Sequence, residues 1–117
     1  MSDKPYDLEE RTFLFAQDVR RFIKKLPHNL ANIEDAKQVV RSSGSIGANY
    51  IEANEALGKK DFRCRMRIAR KEAKETRYWM RLLDTGENSD VETARQSLIR
   101  ECEELRKILS TIIDKSE

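Results

Sequence analysis

The chain has 117 residues, 38% of them hydrophobic and 38% charged, with four glycines and two prolines. This length suits one domain with one core, predicted over residues 1–117, and the composition is typical of amphipathic helices. The formal net charge is only +2, so overall charge does not indicate a nucleic-acid partner and only the placement of charges could.

Membrane, secreted and metal-bound classes find little support in the sequence. No apolar run approaches the ~20 residues that span a bilayer, and MSDKPYDLEER lacks the apolar stretch of a signal peptide. Cys64 and Cys102 are the only cysteines and form no CxxC pair, so we expect neither zinc nor a disulfide. We therefore predict a cytoplasmic protein with no membrane association and no cofactor.

The first predicted helix follows a short disordered lead, Met1–Tyr6. Asp7 is its predicted N-cap, with Glu10 as capping-box partner, and Pro27 ends it. Apolar spacing by fours and threes indicates its core face: Leu8, Thr12, Phe15, Val19, Phe22 and Leu26. Phe13 and Leu14 lie outside that face, and two interpretations stay open for them, a wide core or a subunit interface.

The second predicted helix has Asn32 as N-cap, reaches about Leu57 and is capped by Gly58. It includes RSSGSIGANYIEANE, Arg41–Glu55, where clustered Gly and Ser could instead form a loop. Continuous helical phase favours the helix, and Gly47 within it then indicates close approach of another backbone, because glycine costs ~1 kcal/mol there. The predicted packing face is Ala36, Val40, Ser43, Gly47, Tyr50, Asn54 and Leu57, beside a polar stripe of Arg41, Ser45, Asn49 and Glu52.

The last two predicted helices complete the fold. The third is capped by Asp61 and reaches about Leu83, with Phe62, Met66, Ala69, Ala73, Thr76, Met80 and Leu83 as its core face. The fourth is capped by Ser89 with Glu92 and runs from Val91 to about Lys115, with Val91, Ala94, Leu98, Leu105, Ile108, Leu109 and Ile112 facing inward. Four amphipathic helices joined by short turns predict an all-α, antiparallel up-down-up-down four-helix bundle.

Two stretches of the sequence resemble a known family. RSSGSIGANYIEANEA followed by KKDFRCRMRIARKEAKETRYWMRLL is similar to the signature of a small bacterial four-helix-bundle family, named after proteins encoded in intervening sequences of large-subunit ribosomal RNA genes. The resemblance covers nearly the whole chain. It implies an antiparallel bundle that assembles as a ring-like homopentamer, and it implies no settled molecular function.

The third helix carries a basic stripe that repeats by three and four: Lys60, Arg63, Arg67, Arg70, Lys74, Arg77 and Arg81. At 1.5 Å per residue the stripe would be about 32 Å long, and it lies about 100° from the apolar face. Such a line of cations matches the phosphate backbone of RNA or DNA. Tyr78 and Trp79 nearby could stack on a base, with core or interface packing as the favoured alternative for Trp79. The alternative is a solvated helix face that pairs with acids of neighbouring helices, such as Glu101, Glu103 and Glu104.

Signals for catalysis are weak. The sequence contains no GxGxxG, Walker, HExxH or Ser–His–Asp arrangement. Glu72 and Glu75 have the i, i+3 spacing used in di-iron bundles, but no helix supplies the His that such sites need. We interpret the two carboxylates as helix contacts, with Arg41 and Asn49 as partners. The prediction is a non-enzymatic homo-oligomer without catalytic or metal-binding residues that binds RNA or DNA, or alternatively a protein-interaction adaptor.

Overall fold

The computed structural model describes residues 7–116. This part of the chain forms four helices and no strand, which confirms the predicted all-α bundle: α1 (Leu8–Ile23), α2 (Leu30–Asn54), α3 (Lys59–Leu82) and α4 (Ser89–Lys115). Consecutive helices pack against one another, and α1 also packs against α4. The predicted disorder of Met1–Tyr6 falls outside the described residues.

Along each pair of adjacent helices, the contacting residue lies earlier on one helix as its partner lies later on the other. Asn54 donates to the Glu9 carboxylate across 3.0 Å, and the Arg20 guanidinium reaches the Val40 carbonyl at 3.4 Å. Equivalent pairs link α2 to α3 and α3 to α4: Arg65 with Asn49, Thr76 with Ser42, Arg63 with Ser116 and Arg77 with Glu103. This is the pairing expected of antiparallel neighbours.

The buried faces of α1, α3 and α4 follow their apolar periodicity. All six predicted core residues of the first helix are buried, and six of the seven on the third are buried, with Phe62 half-buried against the core. In α4, Val91, Leu98, Leu105 and Leu109 are buried as predicted, while Ala94, Ile108 and Ile112 are half-buried and pack against the core. The prediction missed Cys102 and Ile113, which are also buried.

The predicted packing face of α2 is wrong by about one residue. Its buried residues are Asn32, Val39, Ser42, Ser43, Ile46 and Ala53, so of the predicted set only Ser43 is fully buried. The pattern was centred on Gly47, which faces α1, whereas α2 also packs extensively against α3. Leu57 lies beyond the helix and is fully exposed.

Three of the four predicted N-caps are also wrong. Asp7 caps α1 as predicted, accepting from the Glu10 amide at 3.4 Å. The caps of the other helices are Asn29, Gly58 and Asn88. Gly58 therefore begins α3 and does not end α2, whose C-cap is Glu55. Asn29 and Asn88 accept from backbone amides two or three residues later, as N-cap side chains do.

Asn32 serves a different purpose from the predicted cap. Its side-chain nitrogen donates to the carbonyls of Pro27 at 3.0 Å and Asp84 at 2.8 Å, and its oxygen accepts from the Asp84 amide at 2.9 Å. Asn32 is buried, and its amide pairs with three partly buried backbone groups of the two turns. The side chain thereby ties the α1–α2 turn to the end of α3.

The Gly/Ser-rich segment is helical throughout, as predicted. A Cβ atom on Gly47 would lie 2.6 Å from Thr12 Oγ1 and 3.1 Å from Thr12 Cβ. The Thr12 hydroxyl is buried and donates to the Leu8 carbonyl at 2.7 Å, so it has little freedom to withdraw. Glycine at this position allows α1 and α2 to approach closely.

Candidate nucleic-acid interface

The basic stripe of α3 divides into two lines of different exposure. Lys60, Arg67, Lys74 and Arg81 are exposed, seven residues apart. Arg63, Arg70 and Arg77 are half-buried against α4. Arg63 donates to the Ser116 carbonyl at 3.2 Å, and Arg70 contacts the Ser110 hydroxyl at 3.4 Å. The sequence had predicted an accessible stripe, and in the structure the first line is exposed whereas the second is half-buried.

The three acids that the sequence suggested as partners of the stripe pair with different cations. Glu103 pairs with Arg77, whose Nε lies 3.0 Å from Glu103 Oε2. Glu101 instead pairs with Arg11 of α1 through two contacts, of 2.7 and 2.9 Å, and this hydrogen bonding raises the pKa of Arg11. Glu104 lies 3.8 Å from Lys107. Of these three acids, one neutralises part of the stripe.

Glu103 also contacts a cation of its own helix. Arg106 Nε donates to Glu103 Oε1 at 3.1 Å, so one carboxylate is shared by Arg77 of α3 and Arg106 of α4. Two guanidinium groups therefore converge on a single anionic group across the α3–α4 seam. The Glu103 carboxylate fills the position between them and neutralises part of their charge.

These residues line a surface depression of about 480 Å³, which we call the basic groove: Lys74, Arg77, Tyr78, Arg81, Glu103 and Arg106. Four of the six are cations and one is an acid. Lys74 and Arg81 form no ion pair within residues 7–116. The same is true of Lys60, near the start of α3. The groove therefore has positive charge that the described chain leaves unneutralised.

Positive charge is concentrated on one helix. The α3 segment, residues 59–82, contains ten Lys and Arg against three Asp and Glu, a net +7. The entire chain has a net charge of +2, so the residues outside α3 together carry −5. The chain is nearly neutral as a whole, but α3 is strongly basic and the other residues together are acidic. A local concentration of positive charge attracts anionic partners.

Tyr78 is an exposed aromatic residue within the basic groove. Its side chain is 56% exposed, and its ring centroid lies 5.1 Å from that of Trp79 in an edge-to-face arrangement with an interplanar angle of 80°. Trp79 is half-buried and packs against the core. The core-bound Trp79 ring supports Tyr78 from one side while leaving much of the Tyr78 ring accessible.

The predicted helix-contact residues lie at the α2–α3 seam, with one change of partner. Arg41 Nη1 lies 3.6 Å from Oε1 of the buried Glu72, and Arg41 Nη2 lies 3.5 Å from Glu75 Oε1. Asn49 does not contact these acids. It donates to the Ser45 carbonyl at 2.9 Å and hydroxyl at 3.0 Å, and it accepts from Arg65 of α3 at 3.2 Å. These contacts join the two helices, and a surface depression of about 510 Å³ lies beside them, lined by residues that include Arg41, Glu75 and Tyr78.

Phe13 and Leu14 are exposed on α1, at 57% and 45%. Phe13 lines a groove of about 420 Å³ between α1 and α2, whose lining also includes Ala16, Gly44, Gly47, Ala48 and Ile51. A second, mainly apolar groove of about 500 Å³ lies between the same helices and includes Ile23, Ile33, Ala36 and Val40. We call these two grooves together the α1–α2 face. Leu14 does not line either groove.

Neither cysteine forms a reactive site with its neighbours. Burial raises the pKa of the Cys102 thiol to about 12, and the thiol donates to the Ala73 carbonyl at 3.1 Å, so it serves as a core group. Cys64 is exposed and unpaired. Within the described part of the chain, no cluster of three or more His, Cys, Asp or Glu could hold a metal. No helix among those residues is long and apolar enough to cross a membrane.

The sequence interpretation missed Arg106 and Arg65. Arg106 follows Glu103 by three residues, a spacing at which oppositely charged side chains on a helix meet. Its place in the groove depends on the register between α3 and α4, which no single helix reveals. Arg65 lies outside the chosen stripe, although counting the charges of the third helix would have included it.

Comparisons with known proteins agree with the fold. A family model described as 23S rRNA-intervening sequence protein matches residues 5–111. A solved structure of a protein of unknown function from the S23 ribosomal protein family of Bacteroides thetaiotaomicron is similar, with 33% identity and a TM-score of 0.73. That match covers 90% of this chain and 96% of the other. A search of curated proteins gave no significant match. The chain belongs to the family of 23S rRNA-intervening sequence proteins.

Proposed function

We propose that this protein is a non-enzymatic, self-associating bundle that binds the phosphate backbone of nucleic acid through its basic groove. The observation that carries the proposal is the charge separation: α3 has a net charge of +7 within a chain of net charge +2. Phosphate contacts by Lys and Arg release condensed counterions and supply most of the affinity of non-specific nucleic-acid binding.

The groove offers two kinds of cation for this purpose. Lys74 and Arg81 are exposed and form no ion pair among the described residues. Arg77 and Arg106 hold the Glu103 carboxylate between them, and a phosphate would contact their guanidinium groups by displacing that carboxylate. Arginine binds phosphate through a planar fork of donors, which makes it suited to this role. Backbone contacts of this kind position a protein with little sequence preference.

Self-association is proposed for the α1–α2 face, which is formed by helices other than those of the basic groove. Phe13 and Ile51 are 57% and 46% exposed there, beside two grooves lined largely by apolar side chains. Closed symmetry would bury such surface in every copy and would multiply the basic helix around the assembly. The family resemblance favours five copies. Two unpaired cysteines suit a reducing cytoplasm, where we place the protein.

A protein-adaptor function is the second candidate. The same apolar α1–α2 face favours it, because its two grooves, one with Phe13 and Ile51 and the other with Ile23 and Ile33, could hold an amphipathic helix of a partner. In that case the basic helix would be a solvated surface that keeps the protein soluble, and the purified chain would not bind nucleic acid.

A binding titration with matched variants tests the nucleic-acid proposal. One triple variant neutralises exposed α3 cations (Lys60→Gln, Lys74→Gln, Arg81→Gln). The control neutralises three exposed cations elsewhere (Arg21→Gln, Lys24→Gln, Lys25→Gln) with the same change in net charge. With mixed-sequence RNA and DNA at low salt, we expect at least tenfold weaker binding for the first and near wild-type binding for the second. Absence of wild-type binding would favour the adaptor, and equal losses would indicate an effect of total charge only.

A further inference from the structure

We infer that the ligand of the basic groove is single-stranded, with Tyr78 as the platform on which a base stacks; this inference rests on the proposed nucleic-acid function. The groove combines phosphate-binding cations with an accessible aromatic ring, and duplex binding uses only the cations. Bases in a duplex are stacked on each other, whereas those of a single strand expose a face to a protein ring.

The position of Tyr78 on α3 supports this inference. Lys74 precedes it by four residues and Arg81 follows it by three, so all three side chains lie on one side of the helix. Tyr78 lines both the basic groove and a neighbouring depression of about 510 Å³ that also includes Lys71, Lys74 and the ion pair of Arg41 with Glu75. Lys71 and Lys74 on one side of the ring and Arg81 on the other are the cations that a phosphate backbone passing over it would contact.

The ring is also held in place before any ligand binds. Trp79 packs against the core and contacts Tyr78 edge-to-face at 5.1 Å. Tyr78 is nevertheless 56% exposed, so an accessible aromatic ring lies among the charged side chains of the stripe. A fixed, exposed ring loses little rotamer freedom on binding, which favours its use as a recognition surface.

The test compares four ligands of equal length and label: single-stranded oligothymidine, oligouridine, a duplex, and an abasic strand that keeps the phosphates but lacks bases. Fluorescence anisotropy at one low salt concentration gives the affinity of wild type, Tyr78→Ala and Tyr78→Phe. Loss of one stacked base should weaken binding of Tyr78→Ala to oligothymidine and oligouridine by about 5- to 150-fold. Duplex affinity should change less than twofold, and Tyr78→Phe should retain wild-type affinity because it keeps the ring.

The abasic strand separates stacking from other effects of the substitution. Wild type should prefer oligothymidine to the abasic strand, and Tyr78→Ala should not distinguish them. Equal weakening of single strand and duplex, or no weakening at all, would overturn the stacking role while leaving the proposed phosphate binding in place. If wild type binds none of the four ligands, the proposed function and this inference both fail. Thermal unfolding and light scattering of each variant show whether fold and assembly are unchanged.

Discussion

Gly44 and Gly47 occupy the same stretch of α2 but meet different neighbours. A Cβ on Gly47 would lie 2.6 Å from Thr12 Oγ1, which belongs to a short, branched and buried side chain. A Cβ on Gly44 would lie 3.3 Å from Nη2 of Arg20, at the end of a long side chain that can move. Both substitutions by alanine gain the same helix propensity, so their difference in stability reports the packing alone.

We expect opposite effects from these two substitutions. Gly47→Ala should lower the free energy of unfolding by about 1–3 kcal/mol because it overpacks the α1–α2 contact. Gly44→Ala should raise it by up to about 1 kcal/mol because alanine is the better helix former. Urea unfolding of the two variants and wild type measures both values. Similar changes for the two variants would contradict the close approach of the helices at Gly47.

A buried asparagine, Asn32, and an exposed one, Asn54, allow a second comparison of effects on stability. Asn32 joins the α1–α2 turn to the end of α3 through three hydrogen bonds. Asn32→Ala removes all three bonds from partly buried backbone groups, at a cost of about 1–3 kcal/mol. Asn54→Ala removes an exposed contact to Glu9 and should cost less than about 0.5 kcal/mol. Comparable losses in chemical denaturation would show that Asn32 does not hold these elements together.

At the scale of elements, the sequence predicts faces best where a helix has one apolar stripe. α1 has such a stripe, and its six predicted core residues are all buried. α2 packs against both α1 and α3, and small residues such as Ser42 and Ser43 fill its contacts, so hydrophobicity identifies its inward face poorly. Its true face was therefore missed by about one residue, although the helix itself was predicted.

Helix caps and cross-helix partners were less predictable for a related reason. Asn29 and Asn32 both have side chains able to cap a helix, and only the fold shows that Asn32 is engaged by Asp84 of another turn. The basic stripe could be read from spacing within α3. The shared contact of Arg77, Glu103 and Arg106 could not, because it requires the relative register of two helices.

At the scale of the whole molecule, the α1–α2 face is largely apolar, whereas the basic groove between α3 and α4 is charged. We expect light scattering at micromolar concentration to give several times the chain mass of 13.7 kDa, near five times for the pentamer. Introducing charge into the face by Phe13→Glu with Ile51→Glu should shift the protein to a monomer. Leu57→Glu, at a fully exposed position outside both grooves, is the control and should not. A monomeric wild type would remove self-association from the proposal.

The most direct test of the proposed function is the salt dependence of single-strand and duplex binding by wild type and the two triple variants. Each phosphate contact adds roughly 0.7 to 0.9 to the slope of log affinity against log salt. Neutralising Lys60, Lys74 and Arg81 should therefore make the slope shallower by about 2 to 3, while neutralising Arg21, Lys24 and Lys25 should leave it unchanged. A slope that is the same in all three proteins, or binding that does not weaken as salt rises, would contradict phosphate recognition by α3.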